Sequence, residues 1–214
     1  QLPAPEFPMR TAFLFPGQGS QRVGMGTALA RYPAARDVFA AVDAALERPL
    51  SRLMADGPED ELTLTRNAQP ALMAVSIAVV RALEAELGRP FDAFADVVAG
   101  HSLGEYTALT AAGTFDVATA ARLLDLRGAA MQAAVPVGEG AMAALMGLDV
   151  ERIARLLATI DGVVDIANDN ADGQVVVSGE RAAVDAVVAA AGAAGARRVT
   201  VLPVSAPFHC RLMR

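Results

Sequence analysis

The sequence predicts an α/β fold: a parallel-sheet core carrying an inserted small unit of order βαββαβ. Three observations predict it. The apolar residues 95–99 lead through Gly100-His101-Ser102-Leu103-Gly104 into helix-forming residues 105–112, which is a strand, a tight turn and a helix. Between Gln69 and Leu87 the apolar positions Leu72, Val75, Ile77, Val79, Val80, Leu83 and Leu87 include repeated three- and four-residue steps, the spacing of a long buried helix. After Gly138 the chain changes character, and short apolar runs alternate with two helical segments.

The elements follow in order. Residues 11–15 form a short apolar strand ended by Pro16-Gly17. Helices are expected over 24–31 and 33–46, the second with proline in its first turn. Gly57-Pro58 punctuates a polar stretch before the long helix at 69–87. Past the strand at 95–99, Asp116 can cap a helix running to about Ala134, where Pro136-Val137-Gly138 breaks it. A strand at 141–148, a helix at 150–160, strands at 163–167 and 174–178, a helix at 181–194 and a strand at 198–203 complete the small unit. Residues 168–173, Asn-Asp-Asn-Ala-Asp-Gly, read as the turn between its middle strands. This organisation assigns 9–138 plus 204–214 to a large core and 139–203 to a small ferredoxin-like subdomain. Residues 1–8, rich in proline, are expected to be a leader, a linker or an expression leftover before Met9-Arg10, which looks like the natural start.

Composition excludes several classes of function. At 54% apolar and 20% charged, the chain is suited to a packed core and too apolar for disorder. A net charge of -6 argues against a nucleic-acid partner, since phosphate neutralisation needs a basic face. The longest uncharged stretch, 67–80, is too short to span a membrane and contains Asn67, Gln69 and Pro70. The single cysteine, Cys210, allows no internal disulfide, and the leader lacks the pattern of a signal peptide, so a cytoplasmic protein is expected. Cys210 with two histidines does not make a metal site, and none is expected.

The chemistry centres on Ser102. A serine at the apex of a glycine-flanked strand-to-helix turn is pushed into an exposed position beside backbone N–H groups, which can stabilise a developing oxyanion. The competing reading has Ser102 merely capping the helix. A serine nucleophile needs a base, and only His101 and His209 exist. His101 is adjacent to Ser102, and neighbours around a sharp turn point apart. His209 follows a strand in Ser205-Ala206-Pro207-Phe208-His209 and is the favoured base. The loop Pro16-Gly17-Gln18-Gly19-Ser20-Gln21 fails a dinucleotide fingerprint because Arg22 stands at the third glycine position. It also fails as a Walker loop, because the chain has no lysine. From these residues alone it is an ordinary connector.

Five motifs in register carry a resemblance. Phe15-Pro16-Gly17-Gln18-Gly19-Ser20-Gln21, Gly100 to Tyr106, Leu126-Arg127-Gly128, Asn168-Asp169-Asn170 before Gly173-Gln174-Val175-Val176, and Pro207-Phe208-His209-Cys210 occur in that order. Together they resemble the malonyl-CoA:acyl carrier protein transacylases of fatty-acid synthesis and the related acyltransferase domains of polyketide synthases. The resemblance extends from Met9 to the last residue. It implies an α/β-hydrolase-like core, with Ser102 attacking the malonyl-CoA thioester and His209 as base, then acid. Backbone N–H groups of Gln18 and Leu103 would form the oxyanion hole, Arg127 would hold the malonyl carboxylate, and Asn170 would line the pocket. Leu103 and Phe208, apolar and bulky beside the serine and histidine, tilt the choice toward an unbranched malonyl group. The implied partners are malonyl-CoA and acyl carrier protein, acting on a monomer with no cofactor beyond the substrate.

The chain stops five residues after His209, whereas family members continue, so the core of this chain is expected to be C-terminally truncated, with little or no activity if the protein truly lacks the remainder. Two alternatives stand beside transfer. A serine hydrolase or thioesterase shares the elbow, with Asp161, Asp165, Asp169, Asp172 or Asp185 as triad acid by position, although all five fall in the small unit. A folded fragment could also act only as a binding module. Docking of an acidic carrier protein on this acidic chain needs a local arginine patch, for which Arg197, Arg198 and Arg211 are candidates.

Overall fold

Parallel pairing of two short strands sets the frame for Ser102: β1 (Ala12–Phe15) lies beside β2 (Val97–Gly100), with Ala12 opposite Val97 and Phe15 opposite Gly100. The computed structural model describes residues 10–136 and 138–214. The leader at 1–8, the start at Met9 and Val137 of the helix-breaking turn lie outside the described residues. Contacts divide the chain into two compact units, Gln1–Arg127 and Gly128–Arg214.

In the first unit the expected helix at 24–31 shrinks to a 3-10 turn, Thr27–Arg31. Gly24 and Gly26 take φ of 85° and 83°, a left-handed backbone that cannot continue a right-handed helix. The helix α1 (Pro33–Leu46) matches expectation, with Pro33 at its first position. The polar stretch is more ordered than its composition suggested. It forms α2 (Leu50–Asp56) and α3 (Glu59–Thr63) on either side of a cis Gly57-Pro58 bond. Three acidic residues fill the first turn of α3, where the helix dipole favours them.

The long helix α4 (Thr65–Leu87) starts four residues earlier than the apolar spacing implied and contains Pro70. Proline has no N–H to offer the Arg66 carbonyl, and Arg48 Nη2 donates to that carbonyl instead at 3.4 Å. Leu72, Met73 and Ile77 of α4 are buried with Val42, Leu50, Leu62, Leu103 and Leu124. Each such side chain contributes about 1.5–3 kcal/mol through burial. After β2 come α5 (Leu103–Ala111) and α6 (Val117–Ala134). As expected, Asp116 caps α6, accepting from the Thr119 N–H at 2.6 Å. Asp125 ties α6 to α4, accepting from Arg48 Nη2 at 2.7 Å and Arg66 Nε at 3.0 Å.

The second unit is a four-stranded antiparallel sheet, built from β3 (Gly140–Met146), β4 (Val164–Ala171), β5 (Gln174–Glu180) and β6 (Arg198–Val201) in the order β4-β5-β3-β6. The helices α7 (Val150–Leu157) and α8 (Arg181–Ala191) bury Ile153, Val184 and Val187 with Leu145, Val175 and Val177 of the sheet. Both end about three residues before their expected limits, at 157 rather than 160 and at 191 rather than 194. The expected turn at 168–173 is a correction. Residues 168–171 extend β4, and only Asp172 and Gly173 turn. Pairing along the irregular β4 shifts twice, between Ile166 and Asn168 and between Asp169 and Ala171. Bulges absorb residues that read as loop by composition. Residues 204–214 fall inside this unit, where Ala206 and Phe208 pack with Met142 and Val176.

The molecule is thus a mixed α/β protein with parallel strands. Among the described residues no helix is long and apolar enough to cross a membrane, and no group of three or more His, Cys, Asp or Glu side chains is placed to hold a metal ion.

Candidate active site

Ser102 sits between β2 and α5 with φ 54° and ψ -111°, a combination L-residues avoid. The neighbouring glycines explain how the chain tolerates it. A Cβ at Gly100 would overlap the backbone of Gly104, and one at Gly104 would overlap the Phe15 carbonyl. The turn can therefore close against β1 only with glycine at both positions. The Phe15 carbonyl accepts from the His101 N–H at 3.0 Å, extending the parallel ladder to the foot of the turn. The result is a sharp elbow that holds the serine at the start of α5. Leu103, buried at 1% exposure, is the first residue of α5, so its N–H lies among the donors with no acceptor in the preceding turn of helix.

Arg127 of α6 reaches this serine. Its Nη2 donates to Ser102 Oγ at 3.0 Å, and its Nη1 donates to Gln69 Oε1 at 2.6 Å. The guanidinium also stands over the Tyr106 ring, 5.7 Å from the centroid. Partial burial lowers the Arg127 pKa from its ordinary value, with Tyr106 and Glu105 acting in the opposite direction. The group stays a cation at any physiological pH.

A chain of polar contacts continues from Arg127. Gln69 Nε2 donates to Thr65 Oγ1 at 2.7 Å, and Thr65 Oγ1 donates to Gln18 Oε1 at 2.9 Å. Gln18 Nε2 in turn donates to the Thr63 carbonyl at 3.4 Å. Other contacts brace the loop bearing Gln18. The Val23 N–H donates to Glu59 Oε2 at 2.9 Å, and the Gly24 N–H to the Met54 carbonyl at 2.8 Å. Helices α2 and α3 thus act as a cradle for this glycine-rich loop.

The first unit therefore brings together Ser102, Leu103 and Arg127, and joins Gln18 to Arg127 through Thr65 and Gln69. Thr65 and Gln69 were missed by motif reading. One signal could have found Gln69: an amide inside the most apolar run of the chain has to be paired when buried.

The second unit holds the other three predicted residues. His209 has φ 59° and lines a cavity of about 510 Å³ with Asp165, Ile166, Cys210, Arg211 and Arg214. Phe208 is buried with Met142, Val176 and Ala206. Asn170 is exposed, and as the extra residue of the second β4 bulge it has no counterpart in the β5 register. Asp165, one of the candidate triad acids, is engaged by Arg211, whose Nε lies 3.0 Å from both carboxylate oxygens and whose backbone N–H donates at 2.8 Å. The Arg211 contact holds the Asp165 carboxyl below its ordinary range.

Residues 12–214 match the family described as acyl transferase domain. The chain belongs to that family. A malonyl CoA-acyl carrier protein transacylase of Escherichia coli (strain K12) is 48% identical over 206 residues, which is 95% of this chain and 65% of the relative. The acyl-carrier-protein-S-malonyltransferase of Bartonella henselae, known as a crystal structure, is 55% identical with a TM-score of 0.90 over 96% of this chain and 66% of that one. A malonyl-transacylase solved in complex with its type II PKS acyl-carrier protein is 44% identical, with a TM-score of 0.87 over 96% and 66% of the two chains. The chain thus spans about 65% of the length of the curated relatives it matches. The family resemblance drawn from the five motifs holds, and the acyltransferase structures share the α/β architecture.

Proposed function

We propose that the protein transfers a malonyl group from malonyl-CoA, through a malonyl ester on Ser102, to the phosphopantetheine thiol of acyl carrier protein. The contact between Arg127 and Ser102 carries this reading. A fixed cation 3.0 Å from a strained serine hydroxyl suits an acyl group that ends in a carboxylate. The planar guanidinium can hold that carboxylate through two parallel hydrogen bonds. In the first step Ser102 Oγ attacks the thioester carbonyl carbon while His209 takes the hydroxyl proton. The backbone N–H groups of Gln18 and Leu103 hold the oxyanion, the C–S bond breaks, and CoA leaves as the thiol with the proton from His209. In the second step the carrier thiol gives its proton to His209 and attacks the ester, and Ser102 Oγ leaves, recovering the proton.

Asn170 and Phe208 belong to the acyl pocket in this proposal, with Phe208 favouring an unbranched group. No cofactor takes part, and the protein works as a monomer in the cytoplasm. The second unit is a ferredoxin-like subdomain, supported by its βαββαβ order and the strand order β4-β5-β3-β6. The division into 9–138 with 204–214 and 139–203 belongs to the same proposal.

Intact mass of the protein after incubation with malonyl-CoA tests the reading. A malonyl adduct is expected on Ser102 and lost in Ser102→Ala, with holo acyl carrier protein discharging it as malonyl-carrier protein. Free malonate as the main product would favour hydrolysis, and the same adduct on Ser102→Ala would remove the nucleophile assignment.

A further inference from the structure

We infer that Thr65 is a positioning residue that sets the guanidinium of Arg127 and the loop of Gln18 through one directed chain of hydrogen bonds. This rests on the reading of Arg127 as the carboxylate receptor. The direction of the chain follows from its two ends. A guanidinium can only donate, so the Gln69 atom facing Arg127 at 2.6 Å is its oxygen. Its amide nitrogen then faces Thr65 and donates to the hydroxyl at 2.7 Å. Having accepted there, the hydroxyl gives its single proton to Gln18 Oε1 at 2.9 Å. The Gln18 amide nitrogen is left to donate to the Thr63 carbonyl, a group that can only accept. Each amide therefore has one orientation consistent with both ends. Thr65 and Gln69 are 0% and 1% exposed, so water cannot substitute for a missing link.

Position 65 needs a hydroxyl, because the link must accept on one side and donate on the other. Without its hydroxyl, Gln69 Nε2 and Gln18 Oε1 lose the partner they share, and the direction of the chain is no longer imposed through position 65. A turned Gln69 would aim its NH2 at Arg127, cation against donor, and push the guanidinium from its place beside Ser102. The neighbouring Gln18 would at the same time lose the side-chain anchor of the backbone N–H assigned to the oxyanion hole.

The test compares Thr65→Val, which keeps the shape and removes the hydroxyl, with Thr65→Ser, which keeps the hydroxyl. Rates of Ser102 esterification by malonyl-CoA and by acetyl-CoA are measured in the protein that carries this sequence, with the urea midpoint of each variant. Thr65→Val is expected to lower the malonyl-over-acetyl ratio of kcat/KM about tenfold, the scale of one charge-linked hydrogen bond. Thr65→Ser should restore the ratio to within about twofold. Should Thr65→Val lower the urea midpoint, Thr65→Ala provides the same comparison with less bulk. An unchanged ratio in both hydroxyl-free variants, or a Thr65→Ser that behaves like Thr65→Val, overturns the inference while leaving the proposed function intact. A wild type that shows no preference for malonyl over acetyl overturns the proposed function instead, and the role of Thr65 with it.

Discussion

Replacing Arg127 by alanine should convert a malonyl-selective serine into one that hardly distinguishes malonyl from acetyl. Once Ser102 is esterified, the malonyl carboxylate carbon lies two C–C bonds from the ester carbonyl carbon, roughly 2.5 Å away. A guanidinium already 3.0 Å from Oγ is therefore within reach of that carboxylate after a small movement. Hydrogen bonds to charged groups contribute about 1.5–3 kcal/mol each. Taking about 3 kcal/mol for the pair, with 1.4 kcal/mol per tenfold, the malonyl-over-acetyl ratio should fall about 100-fold in Arg127→Ala. The same substitution removes the Arg127 hydrogen bond to Gln69 Oε1, and with it some stability. That loss affects both substrates alike, so the ratio rather than the absolute rate is the quantity to measure, by quenched mass spectrometry of the Ser102 adduct. Arg127→Lys should recover only part of the ratio, because an ammonium cannot hold both carboxylate oxygens in a planar fork. A ratio within threefold of wild type in Arg127→Ala, with esterification still measurable, would refute the carboxylate-receptor argument.

Two further outcomes follow from the first unit. Gly104→Ala places a Cβ against the Phe15 carbonyl and should cost about 1–3 kcal/mol or more while slowing esterification of Ser102, read as a lower urea midpoint and a slower adduct rate; wild-type values for both would mean that the elbow does not depend on this close approach. Acid should loosen the clamp between α4 and α6. Burial raises the Asp125 carboxyl, but its contacts with Arg66 and Arg48 outweigh that and hold it below its ordinary range. A depressed carboxyl stabilises the fold fully above its unfolded value of about 3.9, and that share is lost as pH falls through the lower folded value. Asp125→Asn should therefore flatten part of the fall in urea midpoint between about pH 5 and pH 2, and an unchanged acid slope would remove Asp125 from the account.

Much of the secondary structure was legible because its signals are local. Helix α1 announces itself through Pro33, α6 through Asp116, and the elbow through the two glycines that flank His101-Ser102-Leu103. The helix expected at 24–31 fails locally, at Gly24 and Gly26, whereas the other misreadings arise where tertiary contacts override the local code. Apolar spacing placed the start of α4 at Gln69, yet the helix begins at Thr65, and Arg48 donates to the Arg66 carbonyl that Pro70 cannot reach. Asn168 to Ala171 looked like loop, yet pairing with β5 holds them extended. Residues 50–63 looked merely polar, yet Leu50, Met54 and Leu62 are buried in the core of the first unit.

By itself the sequence determined the family, which is written in five motifs in register, and it singled out Ser102 and Arg127 as the candidate nucleophile and candidate cation. Which atoms meet that cation was decided only in three dimensions. Gln18, Arg127 and the Thr65/Gln69 pair of α4 are scattered over more than a hundred positions of chain, and apart from the four-residue step within that pair nothing in their spacing says that they touch. Tertiary packing around α4 leaves Thr65 and Gln69 only 0% and 1% exposed. Once dry, those amides and that hydroxyl had to find each other, because a buried polar group without a partner costs more than the order needed to pair it.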